Sequence, residues 1–225
     1  DEVGSRGLGD VYKRQEVASA KLAAVEMLRS GTTCFLEAGT IYHLDEVFSE
    51  LSKVGIRGRL GKWIWDLPPE PVIYRQSTDV AIENLNRQLE RYNKPSELLS
   101  AWSTLVGHTT CSDPLWREAK ALAIKHDVGM SFHMSPAQID PDGFVAEFGH
   151  RPIVHLAEIG VLDDRCALTH MVRVNDAEVD ILAESGASVA HCPTTALKVA
   201  YGVTQVGKFP EMVQKGVNVS LGTDG

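Results

Sequence analysis

Four polar residues stand at or just past the ends of apolar runs: His133 closing VGMSFH, His170 in CALTH, His191 in ASVAH and Asp224 in VNVSLGTD. They are 37, 21 and 33 positions apart, close to the roughly 30 residues of one strand-plus-helix unit in a (β/α)8 barrel. Imidazole and carboxylate are the usual ligands of zinc, and a catalytic zinc leaves one position for water. A bound metal brings the pKa of that water to about 7, so a nearby carboxylate can take its proton. Each residue also has an ordinary reading. A histidine after a strand is commonly a hydrogen-bonded core residue, and an aspartate in GTDG commonly turns the chain or caps a helix. Recurrence at four strand ends favours a cluster over four coincidences.

The remaining histidines carry less. His43, His126, His150 and His155 fall in or beside helical stretches and read as surface or packing residues. His108 follows the strand ending LVG and is intermediate. Arg173 and Lys198 follow strands and read as solvated charges. Trp63, Trp65 and Trp102 lie on strands and read as core.

The elements that must position the cluster alternate. Apolar runs predict seven strands, at 31–39, 56–66, 97–107, 128–135, 166–172, 187–193 and 217–225. Between them, helical spacing predicts helices at 16–30, 43–55, 77–93, 113–127, 141–149, 152–160, 175–185 and 205–215. Glycines 31, 55, 186 and 216 end four of these helices. Ser77 or Thr78 caps one, and Asp113 caps another with Pro114 behind it. The proline-rich stretch 66–74 is loop. Such alternation predicts α/β architecture with a parallel sheet, either a barrel or a doubly wound fold. In a barrel the C-terminal strand ends ring one mouth, where residues far apart in sequence converge. No GxGxxG and no P-loop is present, which argues against a nucleotide-phosphate cradle.

Composition narrows the partners. The 225 residues are 44% hydrophobic and 23% charged, which is ordinary for a globular chain. The net charge is -8 and the Lys and Arg residues form no stripe, so nucleic acid is a poor partner. No apolar run reaches the ~18 residues of a membrane span. A small molecule is the expected partner, and a homo-oligomer is compatible with the composition. Cys34, Cys111, Cys166 and Cys192 form no CxxC pair and read as reduced, buried thiols, which suggests the cytoplasm. Residues 1–15 (DEVGSRGLGDVYKRQ) lack an amphipathic pattern and read as a non-native or disordered leader.

The motifs GHRPIVHLAEIGVLDDRCALTHMV, VAHCPTTALKVAYGV and GVNVSLGTDG, with EMLRSGTTCFLEAG near the start, resemble the amidohydrolase superfamily. The resemblance covers residues 16–225. It is to the branch of triazine chlorohydrolases and deaminases of methylthioadenosine and S-adenosylhomocysteine. It implies a (β/α)8 TIM-type barrel, here a truncated fragment covering about strands 2–8. The implied cofactor is one divalent metal ion, Zn2+ first and Fe2+ second. By the same resemblance His133 and Asp224 are metal ligands, and Asp224 is also the proton acceptor. His170 faces the water and the substrate, while His191 and His108 border the substrate. The implied reaction is hydrolysis of a non-peptide C–N bond in a nitrogen heterocycle.

Two departures qualify this. The paired HxH of the family's first strand is absent, and so is the β-sandwich built from both termini, so the 225 residues alone are expected to be inactive. Deaminases of this branch also carry a glutamate three residues after the fifth-strand histidine. Here that position is Pro136, in HMSPAQID, and proline does no acid–base work. C–Cl hydrolysis of a triazine-like ring is therefore an alternative, as is a non-catalytic barrel.

Overall fold

The computed structural model describes residues 2–68, 75–94 and 97–224, with side chains from Val11 onward. It contains eight strands, all paired in parallel. β1 (Cys34–Leu36), β2 (Arg57–Leu60) and β3 (Leu99–Ala101) form one sheet. β4 (Ser103–Gly107), β5 (Met130–Met134), β6 (Cys166–His170), β7 (Ser188–His191) and β8 (Val219–Leu221) form the other, in that order. A parallel bridge between Ile64 and Leu105 joins the two. Ten helices punctuate the described residues: α1 (Glu2–Arg29), α2 (Leu44–Val54), α3 (Thr78–Tyr92), α4 (Asp113–Lys125), α5 (Ile139–Phe148), α6 (Pro152–Glu158), α7 (Asp176–Ser185), α8 (Pro193–Lys198), α9 (Val203–Val206) and α10 (Phe209–Gln214).

Most expected elements are present with shifted ends. The expected strand 97–107 is two strands, because the chain changes partner at Trp102. Ala101 still pairs with Leu60 of β2, whereas Ser103 pairs with Met130 of β5. The helix expected at 205–215 is α9 and α10, interrupted at Gly207 and Lys208. α8 follows β7 directly and was not expected; Pro193 opens it. α1 begins at Glu2, so the backbone of residues 2–15 is helical. Residues 69–74 of the proline-rich loop lie outside the described residues.

Local chemistry explains the helix ends. Ser77 caps α3 by accepting the Val80 N–H, and Ser112, not Asp113, caps α4 by accepting the Leu115 N–H. Asn175 and Glu178 form a reciprocal capping box on α7. Gly55, Gly149 and Gly186 end α2, α5 and α7 in the left-handed conformation, which costs a glycine little.

The core lies between strands and helices. β4 and β5 are buried along their whole length, as parallel strands covered on both faces must be. Phe132 meets Trp116 of α4 edge to face, with ring centroids 4.9 Å apart, and both are essentially inaccessible. A second cluster gathers Val47, Leu51, Ile56 and Leu60 beneath α1 and α2. All four cysteines are free thiols; Cys111, Cys166 and Cys192 are buried, but Cys34 on the outer strand β1 is exposed.

Phe132→Ala removes the ring that joins β5 to α4. It should cost about 3–5 kcal/mol, the usual range for an emptied aromatic core site, measurable by urea denaturation. Replacing Gly107 with alanine should also destabilise the protein. Its φ is 90°, and an added Cβ would overlap the His133 carbonyl. A loss of at least ~1 kcal/mol is expected by the same measurement.

Candidate active site

β5, β6 and β8 run parallel, so their C-terminal ends lie together at one edge of the sheet. His133 is the fourth residue of β5, His170 is the last of β6, and Asp224 lies three residues past β8. One ligand atom from each lies within 4.8 Å of the others. His133 is 7% exposed and His170 5%, while the Asp224 side chain is 25% exposed. His170 Nε2 stands 3.9 Å from Asp224 Oδ2. The structure thus gathers three of the four residues picked out by spacing.

The fourth, His191, lies to one side. It ends β7, and its ring stacks on Phe209 with centroids 3.6 Å apart. It is not in the group of three. His108 sits in a 3-10 turn after β4 and is half-buried. Its ring lies 5.9 Å from that of His133, and its Nδ1 is 3.1 Å from Asp140 Oδ2.

Hydrogen bonding sets the chemistry of each ring. His133 Nδ1 is 2.8 Å from the Val106 carbonyl oxygen on the neighbouring strand. A carbonyl only accepts, so Nδ1 carries the proton and Nε2 keeps its lone pair. This is the arrangement of a metal-ligating histidine, with one nitrogen fixed by a backbone carbonyl and the other presented to the ion. His170 Nδ1 and His191 Nδ1 are buried without any hydrogen-bond partner. Unpaired buried polar atoms are costly and gather at functional sites.

Burial holds the imidazoles neutral. It pushes the pKa of His133 below the ordinary histidine value, with His108 adding to the effect; the Val106 bond and Asp224 oppose it. Burial, reinforced by His133, His108 and His191, brings His170 down to about 3. Neutral imidazole is the form that binds a metal. The buried, neutral histidines, the adjacent carboxylate and the committed Nδ1 of His133 together fit a divalent ion.

The backbone at this mouth is unusual. His108, Ser135, His170, Met171 and Asp224 all have positive φ, from 51° to 81°. Residues with a Cβ adopt that region at a cost, and they tend to do so at functional sites. Ser135 and Pro136 follow β5 here. The Ser135 N–H donates to Asp140 Oδ2 at 2.5 Å, and its carbonyl accepts the Arg173 N–H. Asp140 is buried, so a carboxylate lies close to the Pro136 turn although position 136 has none. Nothing in the sequence marked Asp140, because its contact requires α5 to fold back beside His108.

The other histidines pair with neighbouring side chains. His43 pairs with Glu16, His126 with Asn86, His150 with Glu158 and His155 with Asp113. Lys198 is exposed. Arg173 is half-buried, and its Nε has no partner.

The pH dependence of stability follows from His170. Its folded pKa, about 3, lies below the ordinary 6.5, so between these values the unfolded chain holds the proton that the folded chain lacks. Stability is full above pH ~6.5 and falls as pH drops toward 3, by at most about 1.4 kcal/mol per pH unit for this one proton. Metal-free His170→Asn should show a shallower loss than the parent between pH 6.5 and 4 in urea titrations. Equal slopes would contradict the assignment.

Comparison with known proteins agrees with the geometry. The model of the amidohydrolase family matches residues 6–225. A 5-methylthioadenosine/S-adenosylhomocysteine deaminase from Thermodesulfovibrio yellowstonii is 33% identical over 205 residues, covering 91% of this chain and 44% of that protein. A 5'-deoxyadenosine deaminase from Methanopyrus kandleri is 34% identical, covering 92% and 46%. Among solved structures, a zinc-bound adenosine deaminase from Xanthomonas campestris superposes with a TM-score of 0.79 at 28% identity, over 93% of this chain and 46% of that one. A variant of the atrazine chlorohydrolase from Arthrobacter aurescens TC1, complexed with zinc and atraton, gives 0.84 at 18% identity, over 100% and 53%; this likeness shows the fold alone. The chain spans about half the length of the curated relatives it matches. Its parallel strands and intervening helices are part of the family's (β/α)8 barrel, and the chain belongs to the amidohydrolase family.

Proposed function

We propose that the complete protein hydrolyses a non-peptide C–N bond of a nitrogen heterocycle, with His133 and Asp224 holding a divalent ion, Zn2+ first and Fe2+ second. The observation that carries this reading is the commitment of His133 Nδ1 to Val106, which leaves the Nε2 lone pair available to an ion, in a group whose ligand atoms lie within 4.8 Å of one another. Relatives named as adenosine-type deaminases support the choice of bond, and a zinc-bound neighbour supports the choice of metal.

When bound, the ion supplies Lewis acidity and brings a water within reach of deprotonation near neutral pH. The chain's own residues do the rest. Asp224, the most exposed of the three, accepts the proton of the attacking water. His170, held neutral by burial, orients that water and donates a hydrogen bond to charge developing on the ring. His108 and His191 border the substrate on either side of the pair. The partner is a small molecule and the setting is the cytoplasm. No helix among the described residues is long and apolar enough to cross a membrane.

Pro136 favours a second reading. Amine loss needs a proton delivered to the leaving group, whereas chloride departs without one. A triazine-type C–Cl hydrolase therefore tolerates Pro136 more easily than a deaminase does. Ammonia and chloride release from aminopurines and chlorotriazines separate the two.

Asp224→Asn in the complete protein should lower kcat by about 10^2–10^4. Elemental analysis of His133→Ala should show lost or sharply reduced metal. Full metal content and unchanged turnover in both variants would refute the proposal.

A further inference from the structure

Arg173 stands three residues past His170, in the run HMVRVND. Its place after a strand suggests a solvated charge. The side chain is instead half-buried, and its Nε is shut off from water without a hydrogen-bond partner. Four arginines among the described residues are half-buried. Arg151 pairs with Glu178, Arg165 pairs with Asp127, and Arg59 donates to the Gly58 and Leu98 carbonyls. Among the described residues, only Arg173 of the four offers its guanidinium no carboxylate, carbonyl or aromatic ring. Carboxylates are not scarce, since the chain has 30 of them and a net charge of -8. Withdrawing a guanidinium from water is unfavourable unless a counter-charge offsets it, and here the described chain supplies none.

The guanidinium is nevertheless held in place. The Arg173 N–H donates to the Ser135 carbonyl, and the Arg173 carbonyl accepts from Arg151. Its Nη2 fills the space over Gly202, where an added Cβ would lie 2.7 Å away. Gly202 ends a segment that borders the mouth. At one end of that segment Thr195 Oγ1 donates to the Thr223 and Asp224 carbonyls, at 3.0 Å each. Near the other, the Tyr201 ring stands 5.9 Å from that of His170. The segment therefore runs from the Asp224 side of the site to the His170 side, and the Arg173 guanidinium lies against its far end. A fixed cation with no protein counter-charge, at the rim of a small-molecule site, calls for negative charge on the ligand.

We infer that Arg173 binds an anionic substituent of the substrate, a carboxylate or a phosphate, while the ring to be hydrolysed lies at His133, His170 and Asp224. A guanidinium presents a planar fork of N–H donors that matches either anion with two parallel hydrogen bonds. The substrate is thus an acidic heterocycle, not a neutral one. The inference rests on the functional reading above for where the ring lies.

Calorimetric binding to the zinc-loaded complete protein tests this with two matched pairs. Orotate against uracil places a carboxylate on the ring. Adenosine 5'-monophosphate against adenosine places a phosphate beyond a ribose. In at least one pair the acidic member should bind about tenfold tighter, the scale of a hydrogen bond to a charged group, and the pair that responds identifies the anion. Arg173→Gln should abolish that preference and change the neutral member less than twofold. Arg173→Lys keeps the charge without the fork and should retain part of the preference. Gly202→Ala keeps the arginine but displaces its guanidinium, so the preference should fall there too. No preference in the parent for either pair overturns the inference. So does a preference that survives Arg173→Gln, as direct binding of the anion to the metal would give, or equal weakening of acidic and neutral members in both Arg173→Gln and Gly202→Ala. Arg173-dependent binding of an acidic heterocycle that is never hydrolysed would leave the anion site standing and remove the hydrolase reading. Hydrolysis of neutral heterocycles with no acidic preference would do the reverse.

Discussion

The pairing of β4 with β5 is the constraint on which the site depends. It sets the Val106 carbonyl against His133 Nδ1 and so fixes both the ring's tautomer and its direction. The pairing is irregular there, shifting register between Thr104 and Gly107. Gly107 tolerates the resulting positive φ and makes room for the His133 backbone. A side chain at that point would displace the strand that carries the ligand. One glycine and one backbone carbonyl thus decide whether His133 can present Nε2 at all.

Parallel packing then multiplies the effect. β6 lies in register with β5, placing His170 opposite Met134, one residue past His133. β7 and β8 continue the array and bring Asp224 to the same edge. Because β4 and β5 are buried throughout, the histidines that end the array sit in an environment that disfavours charge. The core that stabilises the sheet also keeps the imidazoles neutral.

Buried polar contacts lock the loops around this edge. Asp66 accepts from Thr78 and from both the backbone and hydroxyl of Ser112, tying the segment after Trp65 to the starts of α3 and α4. Asp140 holds Ser135, and Glu178 holds Arg151 while closing the α7 cap. Each buried carboxylate is satisfied by several donors, as burial of such groups requires. Strain at His108, Ser135, His170 and Asp224 persists inside this frame.

The sequence by itself determined the alternation of strands and helices, the strand-end positions of His133, His170 and Asp224, and the family resemblance. These are carried by local periodicity and by short motifs, which tolerate errors of a few residues in an element's ends. The split at Trp102 and the break at Gly207 were hidden, because each depends on which strand or helix the chain meets in space. Tertiary structure alone separated His191, stacked on Phe209, from the other three, although all four share the same strand-end signature. It alone brought Asp140 to His108 and drew Trp63 out of the core to stand beside His133. Spacing fixes which end of a strand a residue occupies. Only packing decides which way its side chain turns and what lies opposite.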